Sequence, residues 1–249
     1  MFMLYGWAIQ SMSNRPEIFS RKKTLKYWDT QARWQKTWLE HCHYHRDIIP
    51  LIADNASPGW RVLDIGAGNG VLALALREKG CEVTALEPSQ GMRALLLEAA
   101  GQRPLSGLRI ETRTWEEIPV GEAQGFHLIL ACNSLHLTSL GLNPALAKAF
   151  QTGAHHVCLI TELDFLTDHL CLNYKDYRLV WSRALGIDSS LAYHHLEELW
   201  EHWQHQYGRA PDAREKNILR SRLIFEGGHY WLKSCSLVGL FWWSRATSY

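Results

Sequence analysis

From residue 61 onward, short apolar runs alternate with stretches whose apolar positions recur every three or four residues. Residues 61–65 read as a first strand. A helix over 69–79 follows, with Val71, Leu72, Ala75 and Leu76 on one face and a stop at Gly80. Residues 82–86 read as a second strand, Ser89 as the cap of a helix over 90–100, and 108–112, 126–131 and 156–161 as strands three to five. Strands alternating with helices predict a mostly parallel sheet covered on both faces, because a parallel crossover places a helix over the sheet.

The flanks follow other periods. Between residues 26 and 54, Trp34, Trp38, Cys42, His45, Ile49 and Ile52 keep helical spacing, which predicts one helical arm ended by Ala-Ser-Pro-Gly at 56–59. Beyond Glu162 the regularity weakens. Asp188-Ser189-Ser190 is expected to cap a helix carrying Leu191, Leu196, Leu199, Trp200, Trp203 and Tyr207, and the β-rich runs 222–226 and 237–243 are expected to form an antiparallel edge. The predicted fold is therefore α/β: a Rossmann-like, doubly wound, mostly parallel seven-stranded sheet with an antiparallel C-terminal edge. Its segments are an N-terminal helical arm (1–55), a core (56–165), a helical lid (166–215) and C-terminal strands completing the sheet (216–249).

Composition narrows the function classes. Lys and Arg total 26 against 25 Asp and Glu, so there is no global basic field to hold a phosphate backbone, and no nucleic-acid partner is expected. No run approaches the roughly 18 uninterrupted apolar residues of a membrane span. Six cysteines without a Cys-x-x-Cys pair read as free thiols, which fits a reducing cytoplasm. The apolar first residues lack a basic region and a cleavage site, so 1–13 reads as a frayed arm rather than a secretory signal.

The chemistry concentrates after the first strand, at Asp64-Ile65-Gly66-Ala67-Gly68-Asn69-Gly70. Glycines there let backbone approach a ligand that a Cβ would block. A dinucleotide fingerprint wants its third glycine at the sixth position, where this chain has Val71. Val62 to Gly70 instead resembles the signature of class I S-adenosylmethionine-dependent methyltransferases, and within them the small-molecule branch that includes quinone-biosynthesis enzymes. Glu87, closing the second strand seventeen residues after Gly70, matches the acidic residue that accepts hydrogen bonds from both ribose hydroxyls in that family. Pro88 and Met92 follow it into the next helix.

The resemblance implies further roles. Thr114-Trp115-Glu116-Glu117-Ile118-Pro119 is similar to the adenine-contacting segment, with Thr114 where the family usually has Asp, and Trp115 is then the candidate for stacking on adenine. Ala131-Cys132-Asn133-Ser134-Leu135-His136-Leu137 is similar to the loop under the methionine part, and Thr152-Gly153-Ala154 to the turn before the fifth strand. Gly66, Ala67, Gly68 and Asn69 would cradle the methionine part, with Asp64 also among the donor-binding residues, while Tyr27 and Trp34 would close over the donor from the arm. The implied cofactor is S-adenosylmethionine, leaving as S-adenosylhomocysteine.

Methyl transfer from a sulfonium needs alignment above all, so a general base is optional. His136, just after the fourth strand, is the candidate base, with shaping of the pocket as its alternative role. His41 and His45 share a helix face at a spacing suited to a metal, yet no further ligand is tied to them by spacing, and no metal is expected. The loop after the fourth strand lacks the Asn-Pro-Pro-aromatic motif of amide- and adenine-nitrogen methylation and the residue before Cys132 typical of cytosine-carbon enzymes. Trp34, Trp38, Trp181, Trp200, Trp203 and Trp231 form either an aromatic cage over a flat small molecule or plain core. The reading is an enzyme, monomeric or homodimeric, methylating a small organic acceptor. A non-catalytic donor-binding sensor and an RNA or protein methyltransferase stand as alternatives.

Overall fold

A computed structural model describes residues 24–101, 106–163 and 170–246. The frayed arm expected at 1–13 lies outside them. The chain divides into two compact units: His45–Leu185 with Leu237–Tyr249, and Met1–Tyr44 with Gly186–Ser236.

The first unit holds α2 (Ile48–Asn55) and then the predicted alternation: β1 (Arg61–Ile65), α3 (Val71–Glu78), β2 (Glu82–Leu86), α4 (Gln90–Gly101), β3 (Leu108–Glu111), β4 (Leu128–Cys132), a 3-10 turn (Leu135–Leu137), α5 (Leu142–Gln151) and β5 (His156–Glu162). Ser89 caps α4 as expected, its Oγ accepting from the Met92 N–H at 3.2 Å. β1 runs parallel to β2 and to β4, with Ile65 level with Leu86 on one side and Ala131 on the other. Strand ends that carry chemistry are thereby brought to one edge. Leu63, Ile65, Leu86, Ile129, Ala131, Val157 and Leu159 pack the core with Leu146, Phe150 and Trp243. Near-continuous apolar strands are what a sheet covered on both faces requires.

The seven-stranded sheet is ordered β3-β2-β1-β4-β5-β10-β6, where β6 is Tyr177–Asp188 and β10 is Cys235–Arg245. β10 is antiparallel to β5, from Val238 opposite Glu162 to Ser244 opposite His156, so the antiparallel strand sits one place in from the β6 edge.

The second unit contains α1 (Leu25–His41), β7 (Leu191–Tyr193), α6 (Leu196–Tyr207), α7 (Ala213–Arg220), β8 (Leu223–Glu226) and β9 (His229–Leu232). Its three strands form a separate antiparallel sheet ordered β7-β9-β8. Trp34, Tyr193, Leu199, Trp203 and Leu219 are its buried core.

Three expectations are corrected. The helix predicted over 26–54 is broken after His41, and Pro50 gives the reason: in the first turn of α2 its missing N–H is harmless, whereas a helix continuous from residue 42 would need that donor and would clash at the residue 46 carbonyl. Asp188-Ser189-Ser190 caps no helix. Its Asp188 carboxylate accepts from the Ser190 N–H at 2.9 Å and Ser190 Oγ from the Ser234 N–H at 3.1 Å, making a turn into β7, so that Leu191 is a strand residue and α6 starts at Leu196. The run 222–226 joins the small sheet instead of the large one.

Candidate active site

The turn from β1 into α3 needs its glycines for different reasons. Gly66, Gly68 and Gly70 all have positive φ, at 67°, 57° and 80°. A Cβ on Gly66 would collide with Ser134, and one on Gly70 would lie 2.7 Å from Leu96 Cγ. At Gly68 a Cβ would meet nothing within 4 Å, so its α-carbon faces open space beside the strand ends. The Gly66 and Ala67 N–H groups both donate to the Leu86 carbonyl, at 2.8 and 3.1 Å, which locks the turn against the end of β2.

Glu87, the next residue, is buried and ties the turn together. One carboxylate oxygen accepts from the Gly68 N–H at 2.7 Å and the other from the Ser89 N–H at 2.8 Å. An ionised carboxylate only accepts, with about four lone-pair sites spread over its two oxygens. Asp64 lies behind it, 2% exposed; burial first, and the Glu87 charge second, push its carboxyl up to about 7. Asn69 is buried with its Nδ2 lacking any hydrogen-bond partner, an amide donor facing a turn built for close approach. Arg93 reaches back from α4 to the Glu87 and Pro88 carbonyls at 3.0 and 2.6 Å, and Met92 is buried beside them.

Across β1, the loop after β4 carries Ala131, Cys132, Asn133 and His136. Asn133 takes a left-handed φ of 50°, its N–H donates to the Ile160 carbonyl at 2.8 Å, and its Oδ1 accepts from the Glu162 N–H at 2.9 Å. That side chain therefore closes the end of β5 and turns the chain so that Ser134 Oγ can donate to the Ile65 carbonyl. His136 follows on the 3-10 turn, half-buried. Burial, then the nearby Asp64 charge, push the Cys132 thiol far up, so it is no nucleophile at neutral pH.

The segment after β3 is bolted in place. The Glu87 N–H donates to the Glu111 carbonyl at 2.9 Å, which sets the ends of β2 and β3 side by side. The Trp115 indole N–H donates to the Ala145 carbonyl at 3.0 Å, and Lys148 Nζ sits 4.5 Å from the centre of its ring while donating to the Trp115 and Glu116 carbonyls. At 3% exposure the Trp115 ring is core, which corrects the expectation that it stacks on adenine: its polar edge and one face are already engaged. Glu116 accepts from the Ser139 N–H and hydroxyl, joining this loop to the one after β4. Thr114 is half-buried, with its N–H and hydroxyl both donating to Glu117 Oε2, at 2.7 and 3.0 Å.

The strand ends thus bring together Asp64, Gly66, Ala67, Gly68, Asn69, Glu87, Pro88 and Met92, with Thr114 and Glu116 beyond β3 and Ala131, Cys132, Asn133 and His136 beyond β4. Tyr27 and Trp34 belong to the other unit, where Tyr27 stacks on His205 at 4.3 Å and Trp34 on His205 at 5.0 Å. The tryptophans divide as well: Trp181 stacks on Trp242 in the first unit, whereas Trp34, Trp38, Trp200 and Trp203 pack together in the second. Sequence reasoning missed Lys148 and Ser139, and it named Ser134 and Glu117 within the loops it singled out without giving either a role. Of these only Glu117 left a signal, the Thr-x-x-Glu spacing of a capping box. Among the described residues no group of three or more His, Cys, Asp or Glu side chains is placed to hold a metal ion, and no helix is long and apolar enough to cross a membrane.

A glycine turn locked to β2, an acidic residue closing that strand, and a seven-stranded sheet with one antiparallel strand define the class I methyltransferase fold. Residues 62–155 match the family described as a methyltransferase domain. A ubiquinone biosynthesis O-methyltransferase from Hahella chejuensis is 31% identical over 117 residues, covering 44% of this chain and 48% of its own. The chain spans less than half the length of the curated relatives it matches. Among solved structures, the YcgJ protein of Bacillus subtilis aligns over 82% of this chain and 100% of its own at a TM-score of 0.53 and 17% identity. A putative RNA methyltransferase from Pyrococcus horikoshii aligns over 85% and 89% at 0.51 and 14%. At such identities these two share the fold.

Proposed function

We propose that the chain transfers a methyl group from S-adenosylmethionine to a small organic acceptor at the carboxyl edge of the large sheet. The observation that carries this reading is the buried Glu87 carboxylate at the end of β2, held beside the glycine turn by the Gly68 and Ser89 N–H groups, an acceptor of the kind that would take a pair of ribose hydroxyls. The residues present suit the donor: an open face at Gly68 and the unpartnered Asn69 amide both lie in the turn that would receive it. When bound, S-adenosylmethionine supplies an electrophilic methyl group on a sulfonium, open to in-line displacement. Gly66, Ala67, Gly68 and Asn69 would hold the methionine part, and Glu87 the ribose.

On the acceptor side, Asn133 and Ser134 fix the turn that presents His136. His136 would withdraw a proton from a hydroxyl or activated carbon, or orient the acceptor, bringing it to about 3 Å from the donor atom. The near-neutral charge balance and the partial likeness to an O-methyltransferase favour a small molecule over RNA. The test is incubation of the protein with methyl-labelled S-adenosylmethionine and whole-cell extract, followed by fractionation. Label passing to a small-molecule fraction supports the reading; label passing only to RNA or protein would refute the acceptor class, and tight donor binding without transfer to any component would refute turnover.

A further inference from the structure

The small sheet of the second unit ends on β8, whose outer side pairs with no strand among the described residues. Its two central side chains point to opposite faces and both are exposed, Ile224 by 50% and Phe225 by 64%. Free N–H and C=O groups on an edge invite another strand, and a charge inside the strand is a common guard against it. At the edges of the large sheet β3 carries Arg109, and β6 carries Arg178 and Arg183. β8 has no charge before its last residue.

The hairpin fixes which backbone groups are free. Gly227 and Gly228, both at positive φ (60° and 81°), form a two-residue turn that closes on the Glu226–His229 pair. The closing pair of such a turn is hydrogen-bonded and the pairs then alternate, so Ile224 and Glu226 aim their N–H and C=O groups at β9. Leu223 and Phe225 aim theirs outward. A second β8 running antiparallel and centred on Ile224 therefore sets Leu223 of each copy against Phe225 of the other, where both backbone bonds can be exchanged. The same register sets Arg222 opposite Glu226 on either side of the axis. Arg222 is exposed, and the Glu226 carboxylate meets Lys233 in a loose, exposed pair at 3.7 Å that a second cation can join.

We propose that β8 is a self-pairing edge through which two copies of the chain join their small sheets into one continuous antiparallel sheet. A partner lying on one face of the sheet would cover either Ile224 or Phe225, whereas edge pairing covers both, and a copy of this strand brings the opposite charge to each end. The contact is small, so a dissociation constant on the order of 10–100 μM is expected.

Sedimentation equilibrium of the full chain, from about 1 to 300 μM so as to bracket that constant, tests the proposal. The parent should pass from monomer to dimer across the range. Ile224→Lys sets two ammonium groups against each other on the axis, and Phe225→Pro removes an outward N–H that β9 does not use, so each should weaken association about tenfold or more. Arg222→Glu alone and Glu226→Arg alone each place like charges opposite one another and should be monomeric. An equimolar mixture of those two variants should dimerise about as well as the parent, since each supplies the charge that the other lacks. A parent that stays monomeric at the highest concentration, a dimer untouched by Ile224→Lys, or a mixture no more associated than its components would overturn the proposal.

Discussion

The turn after β1 and the aromatic core of the second unit both bury polar groups, and they treat them in opposite ways. Around Gly66–Gly70 the N–H groups of Gly66, Ala67, Gly68 and Gly70 have named acceptors, Leu86 taking two and the Glu87 carboxylate those of Gly68 and Ser89, and the unpartnered Asn69 side-chain amide lies where a ligand would come. In the second unit the indole N–H groups of Trp34, Trp38 and Trp203 and the Gln31 Oε1 are buried without hydrogen-bond partners, while His202 is bonded at both ring nitrogens, to Tyr193 and Gln206. One region is organised by hydrogen bonds that hold a backbone cradle. The other is held by aromatic packing that tolerates wasted donors. A ligand that reads backbone geometry suits the first, and substitution should separate the two.

The largest effect is expected from Gly70→Val. It forces a β-branched residue into φ 80° and drives its Cβ against Leu96, so a loss on the order of 3 kcal/mol is expected, a melting temperature about 6–12 °C lower by scanning calorimetry. Trp38→Phe sits at the other end of the scale. Its indole N–H has no partner to lose, so chemical denaturation should place the variant within about 0.5 kcal/mol of the parent.

Between these extremes lies pH. Burial depresses the His45 imidazole to about 4, and burial aided by His155 and His127 lowers that of His156. For a histidine whose folded pKa lies below its unfolded value near 6.5, the unfolded chain takes up the proton first. Stability is then whole above about pH 6.5 and falls as the pH drops toward 4, by on the order of 2–3 kcal/mol for His45. Asp64 runs the other way: its carboxyl is raised to about 7, so its contribution is present below the unfolded value near 3.8 and is lost as the pH rises through 7. Asp64→Asn should therefore gain melting temperature over the parent at pH 8 and gain little at pH 5, whereas His45→Phe should flatten the loss between pH 6.5 and 4.5. A pH-independent difference for either variant would remove the titration argument.

The sheet was legible because β1, β4 and β5 are near-continuous apolar runs, with the shorter β2 and β3 set between helical periods, and the glycine turn because its spacing excludes a dinucleotide site at Val71. β6 was missed although Tyr177, Leu179, Trp181, Leu185 and Ile187 alternate with period two, since Arg183 interrupts the pattern and no turn signal frames it. The break before α2 was written in Pro50 and masked by helical spacing on both sides. Trp115 looked like a ligand-stacking ring because sequence cannot say whether its indole N–H has a partner; the Ala145 carbonyl, thirty residues away, supplies one. Contacts of that range, like Lys148 on the Trp115 carbonyl and Ser139 on Glu116, are set by topology rather than spacing.

The central claim is that Glu87 holds the donor's ribose, and titration of S-adenosylhomocysteine into the parent protein and Glu87→Ala tests it most directly. Loss of the carboxylate removes charge-assisted acceptors for two hydroxyls and unties Gly68 and Ser89, so affinity should fall by about 100-fold or more while the circular dichroism spectrum is retained. Equal affinity in the folded variant and the parent would contradict the account.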